Sequence, residues 1–302
     1  MDRKAGIGCR QGDHMLNRRR FALNRIACPS LDLPAFFKLA VDLDLSKVEL
    51  RNDLPGKLGA AGIIDGLKPS EAAKMAKDNG VSIIAINALQ KFNLASVRKS
   101  ALKELNSLLS LSAEIGCKAI ILCPNNDEAD ARSPDVRYAE TVDALRQFGP
   151  AFVKFGILGY VEPLGFGISS LASLTVAMNA VKESGYGCFR LVHDTFHHYI
   201  GPDDASIYGA NGLGAPYEVA YTGLVHISGV EADIAPDAYR DAHRVLVGPK
   251  DRMKNRDQIR RLDSLGYMGD YSFEPFSESI QKMDARRLSA EINASIDFMI
   301  GE

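Results

Sequence analysis

The sequence lacks the features of a nucleic-acid-binding or membrane-spanning protein. Its 36 basic and 38 acidic residues leave a formal net charge of −2, so no excess of positive charge is available to neutralise phosphates or anionic lipids. No apolar run approaches the roughly 18–20 residues that a helix needs to cross a bilayer. We therefore expect neither a nucleic-acid partner nor a membrane partner.

Cysteine is scarce and is not spaced for a structural role. There are five cysteines, an odd number, and no two of them form a CxxC pair. This pattern excludes a disulfide framework and a zinc ribbon as the organising element of the fold. Cys117 and Cys123 flank a predicted strand and are expected to be small buried hydrophobic residues. Such cysteine usage favours a reducing compartment, and we expect the protein in the cytoplasm.

The N-terminal residues are polar and basic and contain no apolar signal core. We expect residues 1–17 to form a flexible extension, with Met15 as a candidate natural start, and residues 18–302 to form one domain. An apolar content of 46% and a charged content of 25% are typical of globular proteins. A chain of 302 residues can bury a sizeable core without disulfides.

Short apolar segments alternate with amphipathic ones along the chain. Eight of them are predicted strands: Phe21–Ile26, Lys47–Leu50, Val81–Ile86, Lys118–Cys123, Gly156–Val161, Phe189–Val192, Thr222–Ile227 and Tyr271–Phe273. Eight strand–helix alternations indicate parallel pairing, and the length fits a single (β/α)8 TIM barrel of about 250 residues. A doubly wound open sheet is the alternative, but no GxGxxG follows the first strand.

Several helix ends carry recognisable signals. Asp32 is a predicted N-cap, Ser70 is predicted to cap a helix over Glu71–Asn79, and Gly116 is predicted to end a long helix. A helix from Ser133 to about Lys154 is expected to be interrupted at Gly149–Pro150, because proline lacks the backbone N–H that a helix interior uses.

Metal-ligand side chains stand at the ends of four consecutive predicted strands: Glu162, Asp194, His226 and Glu274. The carboxyl ends of TIM-barrel strands meet around one cavity. Three carboxylates can share a small cavity while all are ionised only if a cation offsets their repulsion. Oxygen and nitrogen donors without sulfur suit Mn²⁺, Zn²⁺, Co²⁺ or Mg²⁺. We predict one divalent metal ion, with Mn²⁺ as the first expectation.

Other polar residues near strand ends leave two interpretations open. Asn24 and Asn87 could bind a polyol hydroxyl or satisfy loop backbone. Arg51 could contact the substrate or pair with Asp53. His193 precedes Asp194 on a strand, so it is expected to face the opposite side of the sheet.

Seven segments together resemble the xylose isomerase-like TIM-barrel superfamily of sugar isomerases and epimerases, and within it the inosose isomerases (2-keto-myo-inositol isomerases) of inositol catabolism. They are Leu23–Asn24, VELRNDLPG at Val48–Gly56, INALQKFN at Ile86–Asn93, VEPLGF at Val161–Phe166, VHDTFHH at Val192–His198, HRVLVG at His243–Gly248 and GDYSFEPF at Gly269–Phe276. The resemblance covers nearly all of Phe21–Glu302.

The resemblance implies roles for particular residues. Glu162, Asp194, His226 and Glu274 match the family's metal ligands, and Glu162 and Glu274 also match its proton-exchanging carboxylates. His197 and Arg244 match residues that contact the substrate. The implied reaction is isomerisation of 2-keto-myo-inositol to 1-keto-D-chiro-inositol through a cis-enediolate. The implied partner is a small polyol or keto-sugar, and the choice between monomer and homo-oligomer stays open.

Other functions fit the same residues. A keto-sugar 3-epimerase or an inosose dehydratase would use the same metal and carboxylates. An endonuclease acting on abasic DNA fits less well, because the chain has six histidines and no net positive charge. A non-catalytic sugar-binding barrel is the remaining alternative.

Overall fold

A closed parallel barrel forms the centre of the molecule. The computed structural model describes residues 16–209 and 214–301, so the predicted extension lies outside the described residues except for Leu16 and Asn17. The barrel strands are β1 (Phe21–Asn24), β2 (Lys47–Arg51), β3 (Ser82–Leu89), β4 (Ala119–Leu122), β5 (Leu158–Val161), β6 (Phe189–Asp194), β7 (Thr222–Ile227) and β8 (Asp270–Phe273). Each pairs in parallel with the next, and β8 pairs with β1. The predicted TIM barrel is confirmed.

Helices surround this barrel. They are α1 (Leu33–Asp42), α2 (Gly59–Ile63), α3 (Pro69–Asp78), α4 (Arg98–Ile115), α5 (Pro134–Phe155), α6 (Leu174–Ser184), α7 (Thr195–Ile200), α8 (Asn255–Ser264), α9 (Glu278–Gln281) and α10 (Ala285–Ile300). Asp53–Leu54 and Lys57–Leu58 form a small antiparallel hairpin after β2. Among the described residues, no helix is both long and apolar enough to cross a membrane.

The predicted helix signals are correct at two ends and wrong at a third. The Asp32 side chain accepts a hydrogen bond from Ala35 N at 2.9 Å and begins α1, and Gly116, with φ of 73°, ends α4. Ser70 does not cap α3. Pro69 already occupies the first turn, where its fixed φ suits a helix start, so Lys68 stands at the N-cap.

The expected interruption of α5 at Gly149–Pro150 is also wrong. The helix runs unbroken from Pro134 to Phe155 and contains Pro150. Phe148 and Phe152 are fully buried on either side of it, which holds both halves against the barrel. Gly149 lets the ring of Tyr186 approach closely, since a Cβ there would lie 2.5 Å from that ring. Tertiary packing outweighs the local cost of the proline.

Strand alternation separates two layers of the core. Large residues such as Phe21 and Phe189 point outward between sheet and helices. The barrel interior is filled by smaller residues, among them Ala22, Ala85, Val192 and Leu224. Because side chains on one face of a strand recur every second residue, the next inward positions are those that end the strands. The following section describes the polar side chains at these positions.

Candidate active site and metal centre

Four strand ends bring the predicted ligands together. One ligand atom each from Glu162, Asp194, His226 and Glu274 lies within 4.8 Å of the others, and all four residues are buried. Asp194 and His226 lie two residues beyond Val192 and Leu224, on the inward face of β6 and β7. The sequence prediction that these side chains converge agrees with this geometry.

Local backbone structure explains how the three carboxylates are presented. The amides of Glu162 and Glu274 still pair with the neighbouring strand, at 3.0 Å to Leu122 O and 2.9 Å to Ile227 O. A proline follows each glutamate and cannot continue the ladder. Asp194 uses Oδ1 to cap α7, accepting from Phe196 N at 2.7 Å, which leaves Oδ2 for the cavity.

The charge balance and donor types of the cluster fit a divalent cation. Four buried carboxylates (Glu49, Glu162, Asp194 and Glu274) face two buried guanidinium groups (Arg51 and Arg244). Carboxylates therefore outnumber guanidinium groups by two in a region of low dielectric constant, where uncompensated charge is costly. The four candidate ligands offer oxygen and imidazole nitrogen without sulfur, a set suited to Mn²⁺, Zn²⁺, Co²⁺ or Mg²⁺.

His226 is held at both ring nitrogens. Its Nδ1 faces the ligand cluster, at 2.8 Å from Glu162 Oε1 and 3.3 Å from Glu274 Oε2. Its Nε2 lies 3.1 Å from Oε2 of Glu49 on β2. Glu49 is fully buried and also accepts a hydrogen bond from Ser272 Oγ at 2.7 Å. A carboxylate behind a ligating histidine fixes the ring and its tautomer, leaving Nδ1 free for a metal.

Neighbouring charges move the pKa values of the cluster in opposite directions. Burial raises the pKa of Glu162, and the negative charge of Glu274 adds to that effect. Burial also acts to raise the pKa of Glu274, but His226 and Arg244 outweigh it and hold that pKa well below its usual value. For His226, burial is outweighed by the charges of Glu274 and Glu49, so its pKa is raised. Glu162 thus binds a proton more readily than Glu274.

Arg244 bridges two of the candidate ligands. Its Nη2 donates to Asp194 Oδ2 at 2.7 Å and to Glu274 Oε2 at 2.8 Å. Its guanidinium carbon lies 4.9 Å from the ring centroid of Phe196 and 4.8 Å from that of Phe276. The side chain is fully buried, so stacking and ion pairing orient it towards the cavity.

Arg51 pairs with Asp53, which is one of the two interpretations of its position, and it also contacts Glu274. It forms a bidentate ion pair with Asp53, in which Nε donates to Oδ1 and Nη2 donates to Oδ2, each at 2.7 Å. Its Nη1 donates to Glu274 Oε1 at 2.6 Å. It also lies over the ring of Phe276, 5.1 Å from the centroid. Arg51 is among the residues that line the cavity.

The other predicted substrate contacts divide into two groups. Asn87 and His197 line the cavity, and Asn87 Nδ2 donates to Glu274 Oε1 at 3.0 Å. Burial and the charge of Arg244 lower the pKa of His197 to about 4, so its ring is neutral at pH 7. Asn24 does not line the cavity. Its Oδ1 accepts a hydrogen bond from Ile26 N at 2.9 Å, so of the two interpretations the structure shows the one in which Asn24 binds loop backbone.

The cavity itself has a volume of about 310 Å³ and opens at the carboxyl ends of the strands. Its wall combines the polar residues described above with the rings of Phe166 and Phe276. Charged groups that fix orientation beside apolar surfaces are typical of small-molecule sites. Such a cavity can bind a ligand with several hydroxyl groups and exchange protons with it.

His193 lies on the face of the sheet opposite to Asp194, as predicted from its position one residue earlier on the strand. It is fully buried against His198, with the two ring centroids 5.0 Å apart. The hydroxyl of Tyr208 lies 3.4 Å from its Nδ1. These contacts separate His193 from the cavity that its neighbour Asp194 enters.

Two features of the site were not identified from the sequence. Glu49 lies within the apolar strand KVEL, two residues before Arg51. Residues two apart on a strand point to the same face, and this was the sequence feature that could have placed Glu49 on the cavity side. Ser228 accepts a hydrogen bond from Arg244 Nε at 2.9 Å and fixes that side chain. Its partner lies 16 residues away across an irregular loop, so no local pattern indicated the contact.

Comparison with known proteins identifies the same fold. The sequence model of a family described as xylose isomerase-like TIM barrel matches residues 37–300. A xylose isomerase domain-containing protein from Salmonella typhimurium LT2 is 34% identical, with 94% of this chain and 98% of that chain covered and a TM-score of 0.84. None of the curated proteins searched matches this chain.

Two more distant structures share the fold. The IOLI protein, solved with a bound zinc atom, is 17% identical over 93% of this chain and 98% of its own, with a TM-score of 0.82. D-psicose 3-epimerase from Clostridium cellulolyticum H10, solved with D-tagatose, is 15% identical over 93% and 98%, with a TM-score of 0.70. At these identities the likeness establishes the fold alone.

Proposed function

We propose that this chain, which belongs to the xylose isomerase-like TIM-barrel family, is a metal-dependent isomerase of a keto-inositol. The proposed reaction converts 2-keto-myo-inositol to 1-keto-D-chiro-inositol. The observation that carries the proposal is the convergence of four ligand-type side chains, two of them carboxylates with opposite pKa shifts, in one polar cavity. Mn²⁺ is the proposed metal, and the zinc in the IOLI structure supports a divalent cation of this kind.

Glu162, Asp194, His226 and Glu274 would hold the cation. When bound there, it supplies Lewis-acid stabilisation of negative charge on the substrate oxygens. Glu49 would keep the His226 ring in place through Nε2. Arg244 would remain beside the carboxylates and donate to a substrate oxygen, because its stem is fixed by Ser228 and its plane by two phenyl rings.

The pKa values of the two glutamates are shifted in the directions that a proton shift between neighbouring carbons needs. His226, Arg244 and Arg51 lower the pKa of Glu274, so its carboxylate can accept the proton from the hydroxyl-bearing carbon. Glu162 has a raised pKa and can return a proton to the adjacent carbon. Each has a second carboxylate oxygen, so one oxygen can serve the cation while the other carries the proton.

The remaining predicted contacts would orient the ring. His197 is neutral and its buried Nδ1 makes no hydrogen bond to the described residues, so it can pair with a substrate hydroxyl. Asn87 and Arg51 face the same cavity from β3 and β2. Asn24 would act indirectly, by fixing the turn after β1.

The test is NMR of 2-keto-myo-inositol incubated in D₂O with Mn²⁺-loaded protein. We expect the chiro product with deuterium at the former carbonyl carbon, and recovered substrate with deuterium at the hydroxyl-bearing carbon, since each glutamate exchanges its proton with solvent between turnovers. Glu162→Gln and Glu274→Gln should each lower the rate by about 10²–10⁴-fold, the usual contribution of a general acid or base. Glu218→Gln, an exposed position paired with Lys182, serves as the matched control.

Product without deuterium would contradict the proton-shift mechanism. Unchanged rates in both glutamate variants would remove their catalytic assignment. A 3-epimer from a ketohexose, or a dehydrated inosose, would instead assign the same site to the epimerase or dehydratase alternative. Sugar binding with no turnover of any substrate would favour the binding protein.

A further inference from the structure

A second cavity adjoins the active site. It has a volume of about 880 Å³ and lies between the loop after β5, the end of α7 and the short helical turns near residues 236–243. Asn126, Phe166 and Asp241 line both this cavity and the metal cavity. The shared wall makes the two spaces continuous, and we call the second one the annex.

The annex has different chemistry from the metal cavity. Its floor consists of small or aliphatic residues, including Gly165, Gly167, Ile168 and Ala172. Ile168 is 41% exposed, which makes it one of the exposed large hydrophobic residues of the described chain. The annex's charged side chains are confined to the segment 237–241 at one rim. A polyol lying against these small or aliphatic residues would lose hydration without gaining side-chain hydrogen bonds, so this part of the annex suits an apolar group better than another hydroxylated ring.

Size also separates the two spaces. Binding sites for drug-sized ligands have volumes of about 300–1,000 Å³. The metal cavity, at about 310 Å³, lies at the small end of that range and the annex, at about 880 Å³, near its upper end. A six-carbon keto-polyol therefore needs only the first. The additional space has walls that suit an apolar group.

We infer that the annex binds an aromatic substituent carried by the keto-polyol, so the substrate class is a keto-sugar or keto-inositol bearing an apolar ring. This inference rests on the proposed function. Phe166 stands at the junction, edge-on to the His197 ring with 5.1 Å between centroids. A substrate whose polar ring contacts His197 would place an attached aromatic ring beside Phe166, in the geometry that aromatic pairs favour.

Glycine positions show where the annex can be blocked. A Cβ at Gly165 would lie 2.0 Å from His197 O, so that glycine is needed for packing. A Cβ at Gly167 would meet nothing within 4 Å, and its backbone is not in the left-handed region. Gly167→Phe can therefore fill the annex without backbone strain. Gly187 has the same properties at a distant surface cavity and gives a matched control, Gly187→Phe.

The experiment compares 2-keto-myo-inositol with its mono-O-benzyl ethers, benzylated in turn at each hydroxyl. The readout is kcat/KM for solvent deuterium incorporation with Mn²⁺-loaded full-length protein, with binding of each ether measured by calorimetry. We expect at least one ether to exceed the parent by about tenfold or more, the usual effect of burying an apolar group. Gly167→Phe should lower that ratio about tenfold, whereas Gly187→Phe should leave it unchanged.

Ile168→Asp provides a second variant, because it adds charge to the floor without adding bulk, and it should lower the same ratio. Turnover of the parent with no preferred ether would overturn the annex inference and leave the proposed function standing. A preference that survives both Gly167→Phe and Ile168→Asp would also overturn it. Exchange with none of the probes would overturn the proposed function, and the annex inference with it.

Discussion

At the scale of single residues, the chemistry of the site depends on what lies behind each candidate metal ligand. His226 is useful as a ligand only if Nδ1 points at the other three side chains, and Glu49 enforces that from the far side of the ring. The alternation of side chains along β2 was enough to predict that Glu49 points into the barrel. It was not enough to predict that Glu49 contacts His226. The two residues are 177 positions apart and meet only because the barrel closes.

Removing the charge behind His226 should weaken metal binding. We expect Glu49→Gln to raise the dissociation constant for Mn²⁺ by about 10–100-fold, the usual effect of changing a group that orients a metal-bound histidine. Calorimetric titration of Mn²⁺ into metal-free protein measures this. Glu218→Gln, with an exposed side chain, should leave the constant unchanged. An affinity within about threefold of the parent in Glu49→Gln would contradict the assigned role.

At the scale of elements, buried polar contacts fix helices to the barrel. Arg25 follows β1 and is fully buried. It donates to Asp65 Oδ2 at 2.5 Å and to Ile63 O at 2.9 Å. The same Asp65 oxygen accepts from Leu33 N, the first residue of α1, at 2.6 Å. One carboxylate therefore joins the end of β1, the start of α1 and the end of α2.

Asp65→Asn should destabilise the fold by about 3 kcal/mol, because it leaves the buried Arg25 guanidinium without its counter-charge. Asparagine also tolerates the positive φ of 53° found there. The measurement is the free energy of unfolding in urea. Asp78→Asn, in an exposed pair with Lys74, should cost less than about 1 kcal/mol. Equal effects of the two substitutions would contradict the proposed importance of the buried pair.

The same pair predicts a pH dependence. Burial acts to raise the pKa of Asp65, but hydrogen bonds from Arg25 and Lys57 outweigh it and lower that pKa. Because the folded-state pKa lies below the unfolded value of about 4, the pair contributes fully above that pH. Its contribution is lost as the pH falls through the folded-state pKa. The gap in unfolding free energy between parent and Asp65→Asn should therefore narrow below about pH 4; a constant gap would count against this linkage.

Helix α5 gives a case in which packing reverses an intrinsic preference. Alanine favours a helix over glycine by about 1 kcal/mol, so Gly149→Ala would ordinarily stabilise α5. The Tyr186 ring lies against Gly149, however, and overpacking a core typically costs about 1–3 kcal/mol. We expect a net loss of stability in thermal unfolding. Ser107→Ala, on an exposed face of α4, should be neutral or slightly stabilising. Stabilisation by Gly149→Ala would contradict this prediction and would show that the Tyr186 ring moves aside at little cost.

At the scale of the whole molecule, the pattern of apolar segments was enough to predict the barrel. The bounds of each predicted strand differ from those of an observed strand by no more than a few residues. The ends of β5 to β8 were predictable because each of these buried strands carries a ligand-type residue at its end or directly after it: Glu162, Asp194, His226 and Glu274. The role of Glu49 and the annex were not, because both depend on which distant segments closure brings together.

The decisive measurement is anomalous diffraction from a crystal of the protein soaked with Mn²⁺. We predict one strong manganese peak per chain, within coordination distance of Glu162, Asp194, His226 and Glu274, and its loss in Asp194→Asn. A manganese peak elsewhere with none among these four side chains, in crystals that diffract well, would contradict the claim that the last four barrel strands build a metal centre.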